Sequence, residues 1–262
     1  MSSHPMSPAQ AATLLDQAIE AIRPHHASLF WGDRLLTLDK AAAFKADPDF
    51  RAAIARCSSR TGENQYKSPD GIAWRLHTLV WAARQAVRLD GDFVECGVYE
   101  GDMSFVLTEM VDLRRHGRTL YLYDTFCGFS DRYSSPDDYP GAPQFFAFAQ
   151  QAYTVDGLYE RVQARFRNKD YVRVIRGVVP DALAGTAPET ISFLHLDMNA
   201  PAPERLALEA LYDRVVPGGV ILFDDYGWIL FDKQKQVADE FMAARGQVIL
   251  ELPTGQGLVM KR

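Results

Sequence analysis

The sequence predicts an α/β fold: a parallel sheet with helices on both faces. Three observations lead there. Short runs of β-forming residues alternate five times with helix-patterned stretches from Asp92 onward, as strands and crossover helices do in βαβ units. The stretch Asp92–Ser104, DFVECGVYEGDMS, reads as strand, glycine turn and helix. Four apolar runs end in an acid, at Glu95, Asp124, Asp197 and Asp224. That puts four carboxylates on the carboxyl edge of one sheet, where open α/β folds bind ligands.

In chain order, residues 1–7 carry no pattern and are expected to be disordered. From Pro8 a helix is expected, with Ala11, Leu14, Leu15, Ala18, Ile19 and Ile22 at three- and four-residue spacing. Ser7 or Thr13 caps it and Pro24 ends it. Residues 28–58 suggest one or two further short helices, with Leu35, Leu36, Ala41, Phe44, Phe50, Ile54 and Ala55 as their apolar positions. Residues 1–70 are thus read as a helical cap, packed on the main domain or on a second subunit, or closing as a lid. Residues 71–262 form the ligand-binding domain. The polar stretch SSRTGENQYKSPD is expected to be a loop. The helix Gly71–Leu89 follows, with Ile72, Leu76, Leu79, Val80, Ala83 and Val87 on one face. It also carries Trp74, Arg75 and His77; Arg75 is either solvated or within reach of a carboxylate.

At the glycine turn, Asp92-Phe93-Val94 reads as a buried strand with Glu95 at its mouth. A side chain at Gly97 would block a ligand from lying against the backbone, and Gly101 lets the helix bearing Phe105, Val106 and Leu107 start close to the strand. The first-turn N–H groups then face that ligand. The spacing G-x-x-x-G is not the dinucleotide G-x-G-x-x-G, so a tight turn with no ligand is the alternative.

Next, Thr119–Tyr123 alternates as a strand and ends in Asp124. An acid there either accepts hydrogen bonds from ribose hydroxyls or caps a helix. Thr125–Tyr153 is rich in aromatic residues among acids, serines and prolines. It reads as a partly ordered flap with a helix from about Gln144, whose rings either stack on planar or sugar rings or simply pack the loop. A helix (Val155–Asn168), a strand (Val172–Arg176) and Gly177 follow. Then come the strand Ile191–Leu196 with Asp197, and a helix, Ala202–Val215, broken at Pro217-Gly218-Gly219. The strand Gly219–Phe223 ends in Asp224-Asp225. A helix at about 232–245 and a hairpin (Val248–Leu252, Gly257–Met260) finish the chain.

Composition narrows the function. The chain has 262 residues, 47 % of them hydrophobic, and a net charge of −6. The acidic balance argues against nucleic acid or an anionic membrane as partner. Cys57, Cys96 and Cys127 lie far apart without a C-x-x-C, which excludes the usual zinc and disulfide frameworks and suits reduced thiols in a cytoplasm. No signal pattern and no apolar run near the roughly 20 residues of a membrane span is seen.

Asp197, Asp224 and Asp225 come from adjacent strand ends in this reading. Three neighbouring carboxylates raise one another's pKa unless a cation is present. Hard oxygen donors with no cysteine nearby suit Mg²⁺ ahead of Ca²⁺ or Mn²⁺; the alternative is that some of them cap helices. His195 shares a strand face with Asp197, as a base or as a satisfied core residue.

The motifs DFVECGVYEG, LYLYDTFCGF, ISFLHLDMN, LYDRVVPGGVILFDDYG and LPTGQGLVMK, in that order between Trp74 and Lys261, resemble the macrocin O-methyltransferase family. The resemblance implies a Rossmann-like class I methyltransferase sheet of seven strands, parallel except for the last, and S-adenosylmethionine as cofactor. It implies that Glu95, Gly97 and Gly101 line the methionine moiety and that Asp124 holds the ribose. Phe126 and residues near Gly177 border the adenine, and Tyr99, Ser104, Thr125 and Asp197 are further cofactor contacts. It also implies Mg²⁺ on Asp197, Asp224 and Asp225, coordinating two neighbouring acceptor hydroxyls.

One position departs from the family, which reads L-D-x-D here and uses the second aspartate as proposed base. This chain has Asn199, whose amide cannot take a proton at neutral pH. Either the metal lowers the acceptor's pKa enough for water or another carboxylate to finish, or His195 is the base, or the acceptor is more acidic than a sugar hydroxyl. The catalytic candidates are therefore Asp197, Asn199 and His195. The expected activity is Mg²⁺-assisted O-methylation of a sugar or other vicinal diol on a natural product or polysaccharide, by a cytoplasmic homodimer or higher homo-oligomer. The alternatives are metal-independent methylation of a phenolic hydroxyl and cofactor binding without turnover.

Overall fold

The computed structural model describes residues 7–57 and 70–262. Residues 1–6 and 58–69, which hold most of the two segments expected to be irregular, lie outside the described residues. The chain opens with helix α1 (Pro8–Ile22), whose N-cap Ser7 accepts from the Gln10 N–H in a capping box. Of its expected apolar positions Ile19 is buried, whereas Leu14 and Leu15 are exposed.

Residues 28–58 correct the helical expectation. Strands β1 (Leu29–Gly32) and β2 (Leu35–Leu38) form an antiparallel hairpin, and only α2 (Pro48–Ala55) is α-helical. The two turn residues, Asp33 and Arg34, both have positive φ, 50° and 60°, the backbone that a two-residue hairpin loop demands. Phe30 packs edge-on to Trp74 at 5.2 Å. That contact ties the hairpin to α3 (Ala73–Ala86), along which Leu76, Leu79, Ala82, Ala83 and Ala86 are fully buried.

The main sheet holds β3 (Asp92–Cys96), β4 (Leu120–Asp124), β5 (Val172–Arg176), β6 (Ile191–Leu196), β7 (Val215–Phe223), β8 (Leu250–Glu251) and β9 (Gly257–Met260). Its seven strands run in the order β5-β4-β3-β6-β7-β9-β8. All pairs from β5 to β7 are parallel, and β9 is antiparallel to both β7 and β8. Helices α4 (Asp102–Met110), α5 (Gln144–Tyr153), α6 (Leu158–Phe166), α7 (Pro201–Leu211) and α8 (Asp232–Ala243) complete the crossovers. One correction concerns β7. Pro217-Gly218-Gly219 does not break the chain but lies inside the strand, which begins at Val215, and the pairing with β6 slips there, as at a β-bulge. Helix α7 therefore ends sooner than the periodicity suggests.

Two apolar clusters cover the sheet. Phe93, Leu120, Phe193 and Leu222 pack with α3 and α4, and this cluster also includes Phe30, Phe50 and Ala53. Val94, Leu194, Leu196, Ile221 and Phe223 pack with Leu208, Leu211 and Met242 on the other face. The crossovers turn in opposite directions from β3, toward β4 on one side and β6 on the other, so the switch point lies at their carboxyl ends.

The glycine turn between β3 and α4 is tighter than a ligand cradle alone requires. Gly97 has φ 89°, and a Cβ there would lie 1.8 Å from the carbonyl oxygen of Asp197. The constraint is the β6 loop pressed against it. Gly101, at the N-cap of α4 with φ 75°, faces the Phe166 ring, 3.0 Å from where a Cβ would sit. Gly97→Ala is expected to cost at least about 2 kcal/mol, since it combines a left-handed backbone with a main-chain clash. Urea denaturation of the variant beside the parent measures it.

Candidate active site

The carboxyl ends of β3, β4, β6 and β7 open into one cavity of about 700 Å³, a size usual for small-molecule sites. Gly97, Tyr99, Asp124 and Gly177 line one end. Asp197, Asn199, Asp224 and Asp225 sit at its centre, and Arg34, Phe145, Phe148, Trp228 and Ile229 line the other end.

Asp124, the last residue of β4, organises the first end. Its Oδ2 accepts the N–H groups of Val98 at 2.6 Å and Tyr99 at 2.8 Å. Its Oδ1 accepts the N–H of Phe126 at 2.6 Å. Tyr99 and Phe126 both have positive φ, 48° and 54°, so one carboxylate fixes two loops that a side chain would not adopt unaided. Thr125 Oγ1 donates to the Gly128 carbonyl at 2.5 Å and steadies the second of them.

At the centre, α3 delivers Arg75, which is buried. Its Nη1 donates to Asp224 Oδ2 at 2.6 Å and to Asp225 Oδ1 at 3.3 Å. Its Nε and Nη2 lie 3.0 and 2.8 Å from Asp33 Oδ2, at the hairpin turn. Burial opposes the guanidinium's charge, but Asp224, Asp225 and Asp33 hold its pKa well above the ordinary value. Across Asp224 lies His195, only 1 % exposed. Its Nδ1 is 2.8 Å from Glu95 Oε1 and its Nε2 is 3.6 Å from Asp224 Oδ1. Burial disfavours a charged imidazole here, yet Asp224 and Glu95 outweigh it and raise the pKa to about 10. Glu95 Oε2 accepts from Ser104 Oγ, so Ser104, Glu95 and His195 form a chain inside the protein.

The carboxylates divide by these partners. Asp224 also accepts from Gln256 Nε2 at 2.9 Å; burial would raise its pKa, but Arg75 and His195 hold it below the usual range. Asp225 is pushed to about 7, burial and Asp224 outweighing Arg75. Asp197 is driven well above its ordinary value by burial and by the charges of Asp224 and Asp225. Asp197, Asp224 and Asp225 bring several hard oxygen donors to one place, a set that fits a divalent cation. Ligand atoms of His195, Asp197 and Asp224 lie within 4.8 Å of one another. Asp225, next to Asp224 on the cavity wall, offers a further carboxylate beside them.

The family model described as macrocin-O-methyltransferase (TylF) matches residues 73–249. The chain belongs to the macrocin O-methyltransferase family. Among its relatives, the demethyldecarbamoylnovobiocin O-methyltransferase of Streptomyces niveus is 29 % identical over 160 residues, 58 % of either chain. The mycinamicin III 3''-O-methyltransferase of Micromonospora griseorubida is 27 % identical over 162 residues, 58 % of this chain and 62 % of that one. The chain therefore spans about three fifths of the length of these relatives. The structure of the O-methyltransferase NovP superposes with a TM-score of 0.60 at 24 % identity, over 71 % of this chain and 79 % of that one. CalS11, a calicheamicin methyltransferase, gives 0.57 at 17 %, over 89 % and 98 %. The fold is that of class I S-adenosylmethionine-dependent methyltransferases, with the final strand antiparallel.

Against the residues the family pattern singles out, the structure brings Gly97, Tyr99, Asp124, Thr125, Gly177, Asp197, Asn199, Asp224 and Asp225 to the cavity wall. Glu95, Gly101, Ser104, Phe126 and His195 lie behind it: Glu95, Ser104 and His195 in the buried chain, Phe126 against Tyr159 and Gly101 against Phe166. Asp33, Arg34 and Trp228 are among the wall residues that escape the sequence reading. Asp33 and Arg34 belong to a turn flanked by LFWG and LLTL, a pattern compatible with a two-residue hairpin. Trp228 has Arg34 and Arg75 over its ring at 5.3 and 5.5 Å, and nothing in the sequence marks it.

Arg75→Met is expected to destabilise the fold by about 3–5 kcal/mol, the usual cost of leaving buried charges unpaired, as read by denaturant midpoint. His195 carries a pH signature. Its folded pKa, about 10, lies above its ordinary 6.5. The stability its charge contributes is complete below pH 6.5 and is lost as the pH rises through about 10. Denaturation at a series of alkaline pH values should show this loss in the parent protein and a flatter profile in His195→Gln.

Proposed function

We propose that the protein is an S-adenosylmethionine-dependent O-methyltransferase acting on a hydroxyl of a sugar or other vicinal diol carried by a natural product or polysaccharide, with Mg²⁺ assisting. One observation carries this reading: the glycine-turn end and the carboxylate centre share a single cavity at the switch point of a methyltransferase sheet. Family membership and a relative named for mycinamicin III support it.

In this reading Gly97, Tyr99 and Gly177 bound the cofactor. Asp124 meets its ribose: main-chain N–H groups use three of the roughly four lone-pair sites of its carboxylate. Asp197, Asp224 and Asp225 hold the metal, which when bound supplies Lewis acidity that lowers the pKa of an acceptor hydroxyl. Among the three catalytic candidates, Asn199 cannot accept a proton. With Asp197 engaged as a ligand, the metal would lower the acceptor's pKa enough for water or another carboxylate to take the proton. His195 lies behind Asp224, its Nε2 3.6 Å from Asp224 Oδ1. Most of the rate gain comes from aligning the acceptor oxygen with the methyl donor, which lowers barriers by roughly 7–11 kcal/mol in favourable cases. General base catalysis typically adds on the order of 10²–10⁴-fold. Replacement of the family's aspartate by Asn199 is therefore compatible with turnover.

A second reading has an observation of its own. Arg75 already sets a fixed positive charge on Asp224 and Asp225, which favours metal-independent transfer to a more acidic, phenolic hydroxyl. Calorimetric titration of S-adenosylhomocysteine, with and without Mg²⁺, separates the possibilities. Micromolar or tighter binding is expected, together with a Mg²⁺ heat that Asp197→Ala abolishes. Cofactor binding with no Mg²⁺ heat selects the second reading, and no binding under either condition removes both.

A further inference from the structure

Asn199 sits between the carboxylates and the aromatic segment, and its side chain and main-chain oxygen all have partners. It follows β6 with φ 54°, a left-handed conformation that asparagine tolerates. Its main-chain oxygen accepts from the Tyr139 hydroxyl at 2.7 Å. Its side-chain Oδ1 accepts from the Tyr153 hydroxyl at 2.9 Å. Its Nδ2 donates to Asp225 Oδ2 and, at 3.4 Å, to Asp197 Oδ1.

Both phenols belong to the aromatic segment that precedes and includes α5. Tyr139 is 1 % exposed and packs edge-on to Phe145 at 4.9 Å. Tyr153 packs edge-on to Phe129 at 5.7 Å and to Tyr99 of the glycine turn at 5.3 Å. We propose that Asn199 is a positioning residue: a clasp that fastens the aromatic segment, from Phe129 to Tyr153, to the carboxylates at the centre of the cavity. The chemistry selects an amide. Only a group with an acceptor and two donors takes a hydrogen bond from a phenol while giving them to two carboxylates. An aspartate there accepts from the phenol but sets a third carboxylate against Asp197 and Asp225, so it breaks the link from the phenol to those carboxylates. This inference stands on contacts within the protein and does not depend on methyl transfer.

Hydrogen–deuterium exchange of the full-length protein tests it, alongside fluorine NMR of protein carrying ring-fluorinated tyrosine. Asn199→Ala and Asn199→Asp are expected to speed exchange across residues 129–153 roughly ten-fold, the loss of one to two hydrogen bonds. Exchange in α2, which packs against α4, stays unchanged, which separates the effect from general destabilisation. Tyr153→Phe, which keeps the ring and removes the donor, speeds the same segment. Combining it with Asn199→Ala adds little, because both changes remove the same bond. The fluorine resonance of Tyr153 shifts in both Asn199 variants. Unchanged exchange in this segment, fully additive effects of the two substitutions, or a Tyr153 resonance indifferent to Asn199 would each overturn the proposal.

Discussion

A guanidinium buried among three carboxylates is the interaction that the rest of the structure accommodates. Arg75 arrives on α3, Asp224 and Asp225 at the end of β7, and Asp33 on a hairpin near the start of the chain. Charges taken out of water are tolerable only when their partners are held in place. Each of these elements is therefore fixed relative to the others by electrostatics as well as by apolar packing. On the far side of Asp224, His195 and Glu95 repeat the device with an imidazolium. Asp197, Asp224 and Asp225 line the cavity beside these pairs, and their oxygens are the hard donors that a cation would take.

Much of this fold was legible because its central strands are buried on both faces. Such strands read as unbroken apolar runs bounded by turn signals, and Ile191–Leu196 appears at its expected limits. The hairpin did not stand out because Leu-Leu pairs satisfy a helical period as readily as a strand period, and Asp33-Arg34 is not the Asn-Gly that usually marks such a turn. The start of β7 was hidden by Pro217-Gly218-Gly219, which reads as a breaker in one dimension and is absorbed by a bulge in three.

The site was legible as a set of positions more than as a set of roles. A carboxylate at a strand end must lie on the sheet's edge, but its sequence does not say which way it turns. Asp197, Asp224 and Asp225 face the cavity, Asp124 takes hold of main-chain N–H groups, and Glu95 points inward to His195. Arg75 shows the same limit. Helical periodicity placed it on α3, while its burial depends on elements far away in sequence. The order of the family's motifs needed no geometry at all, because each motif is a short segment complete in itself.

The turn at Asp33 and Arg34 bears on how this chain could be recombined with others. The same two-residue loop offers Arg34 to the cavity wall and Asp33 to Arg75. Replacing the segment that carries it would also replace the counter-ion of the buried arginine. Part of the cavity wall and that counter-ion travel together on one short stretch of chain. A chimera joined downstream of β2 inherits both from the same parent, and one joined within the turn has to reconcile two.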